Sequence, residues 1–217
     1  MSDVQLDQPL IIDLGIMKYD LALAQQRLWH DKVVAGQRSV ILTVEHEPVL
    51  TLGKNADNSN LLFPRDHYRE LGVDFSETER GGDVTAHMPG QLVVYPIIDI
   101  QKKKLSVREY VERLESSVIE TLFSFGVEAS RDSSLPGVWV GSQKICAIGV
   151  RVKSRVTMHG IALNVNNDLG LFGKIIPCGI KSRGVTSMQK LLEGTVSFSN
   201  VRERLVQNIM KNLQNFG

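Results

Sequence analysis

The chain has 217 residues, of which 42% are apolar and 23% charged, ordinary values for a folded globular protein that argue against disorder. Its 25 lysines and arginines nearly balance 24 acidic residues, and a net charge of +1 gives no reason to expect nucleic-acid binding. The length suits one domain over residues 1–217, and the start shows no basic segment before an apolar run; with no stretch near the roughly 18 apolar residues of a membrane span, a cytoplasmic protein without membrane association is expected.

Leu10–Leu14 is an apolar run that suits a short buried strand. Tyr19–Ala35 is rich in helix formers, and Gly36 stands where a helix stops. Ser39–Glu45 and, after Pro48, Val49–Gly53 read as strands; the polar, Asn-rich Lys54–Leu61 reads as a loop, and Pro64–Leu71 as a short helix opened by its proline. Asp83–His87 and Gln91–Ile98 look like two strands joined across the turn Met88-Pro89-Gly90. Ser106–Phe125 carries the clearest helical pattern. Ser106 and Glu109 have capping-box spacing, apolar residues recur near every 3.6 positions from Val107 to Phe125, and Gly126 follows. Val138–Val140, Lys144–Val152 and Val156–Val165 are strand-like, with Gly141-Ser142 a turn between the first two, and Asn200–Asn215 reads as a terminal amphipathic helix. Helices and strands mix without regular alternation, which indicates a mixed α/β or α+β domain.

Several common motifs are missing. There is no GxxxxGK[ST] phosphate loop, no GxGxxG after a strand, no GxSxG elbow and no HExxH. Two cysteines, Cys146 and Cys178, cannot make a four-thiolate zinc site, and a disulfide is disfavoured in a reducing compartment, so no metal is expected.

Three segments stand out. Arg80-Gly81-Gly82-Asp83-Val84-Thr85-Ala86-His87-Met88-Pro89-Gly90-Gln91 brackets one Arg, one Asp and one His with glycines that permit close backbone approach; it reads either as a ligand loop or as a hairpin with two tight turns. In Gly141–Gly149, Lys144 on a strand would share a face with Cys146 and oppose Ile145. Such a lysine either belongs to an edge strand with its ammonium in water or needs a partner. In the third, His159–Val165 leads toward Ile175–Ile180, where Cys178 sits between Pro177 and Gly179; it is either inert or faces a cleft.

Together these segments resemble the octanoyltransferases of lipoate biosynthesis. The pattern RGG-x-x-T-x-H-x-PGQ is met by Arg80–Gln91, K-I-x-A-I-G by Lys144–Gly149, HG-x-AL-N-V by His159–Val165 and PCG by Pro177–Gly179, in order over about a hundred residues. Tyr95-Pro96, Asp168-Leu169, Phe172 and Val185-Thr186-Ser187 fit as well. The resemblance implies the fold of biotin and lipoate protein ligase catalytic domains, a mixed sheet flanked by helices. It implies Cys178 as the acyl-carrying nucleophile and Lys144 as its partner. It places Arg80, Gly81, Gly82, Asp83, Val84, Thr85, Ala86 and His87, with Ala147, Ile148, Gly149, Gly160, Ile161 and Ala162, around the acyl chain. His159 and Asn164 are expected to support that pocket. The implied donor is octanoyl-acyl carrier protein, and the acceptors are lipoyl domains of 2-oxo-acid dehydrogenase complexes and the glycine cleavage carrier protein; a monomer with no cofactor, neither ATP nor metal, is expected. Ala86 and Met88 depart from the family's usual aromatic and glycine, which bears on pocket shape and acyl-chain length.

The implied chemistry is consistent. A free thiol of pKa about 8.5 is largely protonated at pH 7, and a nearby ammonium favours the thiolate. Exchange of one thioester for another is nearly balanced and requires no ATP. The second step needs a neutral amine, and Lys144, having lost its anionic partner, is the expected general base. Backbone N–H groups near Lys144–Gly149 or after Cys178 are the candidate oxyanion donors. Cys146 is the rival nucleophile, read as packing because the family carries small residues there. The clusters Lys102–Lys104 and Arg151, Lys153, Arg155 are either a docking surface for an acidic carrier or solvated turns. Competing readings are an ATP-dependent ligase of the same fold, a non-enzymatic acyl-binding module and a thiol hydrolase.

Overall fold

The computed structural model describes residues 8–132, 135–176 and 183–214. In chain order it contains β1 (Leu10–Met17), α1 (Tyr19–Val34), β2 (Val40–His46), β3 (Val49–Leu52), α2 (Arg65–Glu70), β4 (Asp74–Glu77), β5 (Val84–His87), β6 (Gln91–Ile97), α3 (Val107–Ser124), β7 (Ser130–Asp132), β8 (Leu135–Val140), β9 (Gln143–Lys153), β10 (Val156–Asn164), α4 (Met188–Leu191) and α5 (Phe198–Gln214). Seven strands form one sheet in the order β1-β2-β6-β10-β9-β8-β7, and three form a small sheet in the order β4-β3-β5. The large sheet is mixed, since β1 runs parallel to β2 while the remaining neighbours are antiparallel.

Side chains of β6 alternate between two cores, as the two-residue period of a strand requires. Leu92 and Val94 face a core built with Tyr110, Leu114 and Val118 of α3 and Leu205 and Ile209 of α5. Val93, Tyr95 and Ile97 face the opposite core, which includes Ala22 and Val33 of α1. A strand covered on both faces reads as an unbroken apolar run, and β6 does so from Leu92 onward. Helix α3 starts as its sequence predicts: Ser106 Oγ accepts from Glu109 N at 3.2 Å, and Glu109 Oε2 accepts from Ser106 N at 2.8 Å. Helix α5 begins at Phe198, ahead of the expected cap Asn200. The expected buried strand at the start is an edge strand that alternates between half-buried and exposed residues and extends to Met17 past a bulge.

The main correction concerns the expected hairpin. The turn is present, with Gln91 N donating to Met88 O at 3.2 Å, but β5 and β6 do not pair. β5 pairs with β3 in the small sheet, and β6 pairs with β2 and β10 in the large one. The chain therefore passes from one sheet to the other twice, at Glu47-Pro48 and at Met88–Gly90. Local turn chemistry is the same for a hairpin and for a crossing, because it fixes the bend and not the partner. Strands β4 and β7 and helix α4 were not expected; each has only three or four residues, too few to show a period.

The second crossing depends on Gly90. Its φ is +86°, and a Cβ there would lie 2.7 Å from Asn167 N. Gly36 has a similar φ of +96° but open space around it. Gly90→Ala is expected to cost about 2–4 kcal/mol of unfolding free energy, from backbone strain plus overpacking. Gly36→Ala meets the backbone cost alone, about 1 kcal/mol. Urea denaturation of the two variants checks the difference.

Candidate active site

A cavity of about 510 Å³ opens over the face of the large sheet that looks toward α1, beneath the loop Arg80–Asp83. Its floor consists of two rows of side chains set by strand register. Val93, Ala162 and Ala147 are cross-strand neighbours on β6, β10 and β9; Gly160 and Gly149 pair in the next row, and all five line the cavity. The small residues leave a trough that larger ones would fill. His159 carries a φ of +58°, uncommon for a residue other than glycine, and regular pairing of β10 with β6 ends at Ile161 and Val94. β6 there reaches Pro96, which has no N–H to pair, and Gly160 packs directly on it: a Cβ on Gly160 would collide with Val94 O and lie 2.9 Å from Pro96 Cδ. The loop lies directly on the sheet: Gly81 N donates to Val150 O at 3.0 Å, and a Cβ on Gly149 would sit 2.9 Å from Gly81 O.

Of the residues singled out in the sequence, Arg80–Thr85, His87, Lys144, Ala147–Gly149, His159 and Gly160–Ala162 line this cavity. Ala86 does not. It is fully buried with Leu50, Met88 and Phe172 in the core of the small sheet. The departures at Ala86 and Met88 thus alter packing behind the cavity, not its wall. Asn164 does not line it either; it lies in the hydrogen-bond network described below. Cys178 and its neighbours Pro177–Ser182 lie outside the described residues. Tyr19, Val93, Leu135 and Pro136 also line the cavity and were not marked in the sequence, where nothing distinguishes them from ordinary helix, strand and turn residues.

Arg80 is buried, and its guanidinium is ringed by acceptors. Nη2 donates to Thr51 O at 2.6 Å, Asp83 O at 2.7 Å and Thr51 Oγ1 at 2.9 Å, while Nε and Nη1 reach Thr51 Oγ1 at 3.2 Å and Gly81 O at 3.1 Å. A guanidinium can only donate. Thr51 Oγ1, already an acceptor, turns its own hydrogen toward His87 Nε2 at 3.4 Å. The His87 proton therefore sits on Nδ1 and goes to Gln91 Oε1 at 2.7 Å. Gln91 Nε2 then donates to Asn164 Oδ1 at 2.9 Å, and Asn164 Nδ2 to Thr186 O at 3.0 Å. One directed chain of hydrogen bonds thus runs from the small sheet through the large sheet to the segment after Arg183.

Three neutral histidines underlie one end. His46 Nδ1 donates to Met17 O at 3.2 Å, so its Nε2 accepts from Tyr95 OH at 2.7 Å. Tyr19 OH lies 3.4 Å from His159 Nδ1. Burial lowers His46 to about 4 and His159 to about 3, the latter helped by the Arg80 charge. Burial, with the adjacent His46, also holds His87 well below the usual range.

Lys144 occupies the start of β9. Its backbone N donates to Gly184 O at 2.9 Å and its carbonyl accepts from Thr186 N at 3.0 Å, so the Gly184–Thr186 segment continues the sheet where β10 has ended. Nζ donates to Pro136 O at 3.2 Å and lies 4.8 Å from the Trp139 ring centroid. The expected shared face of Lys144 and Cys146 is not found. Val138 pairs with Cys146 but Trp139 with Lys144, so Ile145 is an extra residue that breaks the strand alternation. Ile145 and Cys146 both enter the α3 core, and burial pushes the wholly enclosed Cys146 thiol far up. Of the basic cluster, Arg151 is paired with Glu79, and Arg155 with Asp99 at 2.8 Å. Among the described residues no group of three or more His, Cys, Asp and Glu side chains is placed to hold a metal ion.

The depressed histidines imply a pH dependence of stability. Below pH about 6.5 the unfolded chain binds protons that the folded one does not, so stability falls on acidification until about pH 4 for His46 and about pH 3 for His159. At pH 5 each contributes a loss of about 2 kcal/mol relative to pH 7. Urea unfolding at both pH values should show a drop smaller by about that amount in His159→Asn, where asparagine tolerates the left-handed backbone.

Residues 18–210 match the model of the lipoyl protein ligase A/B catalytic domain. The octanoyltransferase of Alkaliphilus metalliredigens is 43% identical over 190 residues, 87% of each chain, and that of Nitratidesulfovibrio vulgaris is 40% identical over 202 residues, 93% of each. Among solved structures, lipoate-protein ligase A bound with ATP has a TM-score of 0.73 at 16% identity, covering 95% of this chain and 86% of that one. A bipartite lipoate protein ligase of Thermoplasma acidophilum has a TM-score of 0.74 at 15% identity, covering 96% and 84%. At such identities these two show the shared fold, whereas the closer relatives cover nearly the whole chain, and the chain belongs to the octanoyltransferases of the lipoyl protein ligase A/B catalytic domain family.

Proposed function

We propose that this acyltransferase takes an octanoyl group from acyl carrier protein onto Cys178 and passes it to a lysine of a lipoyl domain, with Lys144 as the partner of the thiol and residues 1–217 acting as one catalytic domain. The observation that carries this reading is the position of Lys144, at the edge of an enclosed trough, with its backbone bonded to Gly184 and Thr186. The described residues on the two sides of Cys178 are both anchored near the cavity wall. Ile176 N donates to Asn60 O at 2.8 Å, and Asn60 Nδ2 donates to Asp83 of the cavity at 2.5 Å; on the other side Gly184 and Thr186 hold Lys144.

In the first step the Cys178 thiolate attacks the carrier thioester carbonyl, the acyl–sulfur bond to the carrier breaks, and the carrier sulfur leaves as a thiol with the proton given up by the Lys144 ammonium, which becomes a neutral amine. The Lys144 ammonium stabilises the thiolate before attack. In the second step a lipoyl-domain amine attacks the Cys178 thioester, Lys144 in its neutral form takes the amine proton, and the Cys178 thiolate leaves beside the ammonium so formed. Amide formation from a thioester is downhill and draws the cycle forward. The histidines at the Tyr19, His87 and His159 end of the cavity are neutral at neutral pH, each with a single ring proton.

Mass spectrometry of the protein mixed with octanoyl carrier protein should show one octanoyl group, mapped to Cys178. Cys178→Ser should carry none, and acylation of Cys146 instead would reverse the assignment. Lys144→Met should lower acylation of the acceptor lysine by about 10²–10⁴-fold, the usual worth of a positioned acid–base group. A normal rate removes the role given to Lys144.

The trough also bears on chain length. Ala147 stands three residues along β9 from Lys144, at most ~10 Å, close to the length of an extended eight-carbon chain. Ala147→Leu is expected to reduce kcat/KM for the octanoyl donor by about tenfold, and that for a butanoyl donor much less, because two to three methylenes lose burial worth about 0.8 kcal/mol each and part of this is regained by displacement. Equal effects on the two donors would place the chain elsewhere.

A further inference from the structure

The Pro136–Gly137 peptide unit is held at both of its polar ends. Its carbonyl accepts from Lys144 Nζ at 3.2 Å, and its N–H donates to Glu115 Oε1 at 2.9 Å. In a trans peptide these two groups point in opposite directions, so carboxylate, peptide and ammonium stand in line. Glu115 lies on α3 and is only 5% exposed, which requires a reason, because a lone buried carboxylate is costly. Gly137 is shaped for the arrangement: its φ is +124°, and a Cβ there would meet Cys146 O at 2.6 Å and the Lys144 stem at 3.4 Å. Lys144 thus lies against a backbone that has no side chain.

We propose that Glu115 is a positioning residue for Lys144, acting through the Pro136–Gly137 peptide. A carboxylate that accepts the N–H draws the peptide's electrons toward its carbonyl oxygen, which then binds an ammonium more strongly; hydrogen bonds in a chain polarise one another by roughly 10–30% per bond. Glu115 also supplies a negative charge behind that oxygen. It fixes where the ammonium sits, on the Pro136 carbonyl, while the Trp139 ring limits it on another side. The inference rests on the reading in which Lys144 serves Cys178.

The groups facing this carboxylate are known. Arg131 Nε of β7 lies 3.4 Å from Oε2, Glu112 is one turn away on α3, and Lys144 and Cys146 face it from β9. Arg183 adds a second cation 4.9 Å from the Trp139 ring centroid. Burial raises the Glu115 carboxyl, and the Gly137 N–H and Arg131 act against that rise. Arg131 therefore offsets part of the charge that Glu115 presents to Lys144, which makes the two residues opposed controls on one amine.

The test uses the intact protein and a readout other than turnover: the rate at which an amine-reactive ester modifies Lys144 at pH 8, followed by peptide mass spectrometry. Glu115→Gln keeps an oxygen for the Gly137 N–H and removes the charge. It should speed Lys144 labelling by about two- to tenfold relative to wild type. Arg131→Gln exposes Lys144 to the full carboxylate charge and should slow labelling by about twofold. Should Glu115→Gln fail to fold, shown by loss of a cooperative urea transition, the opposite-signed Arg131→Gln still decides. Wild-type labelling in the folded variants overturns the inference, even where Lys144→Met abolishes acyl transfer. Conversely, normal acylation by Lys144→Met removes the catalytic reading while the labelling rates continue to report on the peptide link.

Discussion

An arginine has five hydrogens to give and nothing with which to accept, and in this protein that asymmetry orders a whole network. Burying Arg80 is tolerable only because backbone and side-chain oxygens from three places, Thr51, Gly81 and Asp83, converge on it. Once Thr51 accepts from it, every later hydrogen bond has its direction fixed: through His87 and Gln91 to Asn164 and Thr186. The chain selects the His87 tautomer and both amide orientations. It also joins the small sheet to the large one. The carbonyl at its far end belongs to Thr186, whose N–H is bonded to Lys144. The loop over the cavity and the strand that bears the lysine are thereby parts of one polar framework.

The cavity exists because small residues sit on the sheet where larger ones would fill the space. A left-handed His159, a glycine beside it and a proline opposite interrupt the hydrogen-bond ladder between β10 and β6 for a short stretch, while the two strands stay in contact. Backbone strain of this kind costs of order 1–3 kcal/mol and persists only where the surroundings compensate. Here His159 N donates to the buried Gln26 Oε1 at 2.8 Å, and the Arg80–Asp83 loop packs over the opening. Alanines and glycines in register on β9 and β10, beside Val93 of β6, then form an apolar trough instead of a filled core. Such a trough suits a flexible aliphatic chain, in keeping with the octanoyl transfer of the family.

The environment separates Cys146 from Lys144 as well. An extra residue in β9 sends Cys146 into the core beneath α3, where desolvation disfavours its thiolate, and leaves Lys144 on the cavity side. The same bulge brings the lysine stem over Gly137 and its ammonium onto Pro136 O. Two residues adjacent in a strand pattern thus end in opposite electrostatic settings, one apolar and enclosed, the other lined with a carbonyl, an aromatic ring and, one peptide away, a carboxylate.

How much of this was legible in the chain itself follows from the range of each interaction. The start of α3 could be read because a capping box is complete within four residues, and the family could be recognised because its motif blocks lie in order along the sequence. The residues around the cavity were legible by that resemblance, except that Ala86 lies in the core behind the wall; Asn164, expected as a support, stands in the hydrogen-bond network. Sheet membership of β5 and β6 could not be read, since a turn specifies a bend while strand partners are decided by packing far along the chain. The bulge at Ile145 was equally hidden: an apolar run looks the same whether or not a residue is looped out, and only the register with β8 reveals it. Glu115 looked like any other charged residue of an amphipathic helix. Local sequence determined helices, turns and the inventory of reactive groups; tertiary structure decided which groups meet, because burial, hydrogen-bond direction and strand register arise only between segments that are distant in the chain.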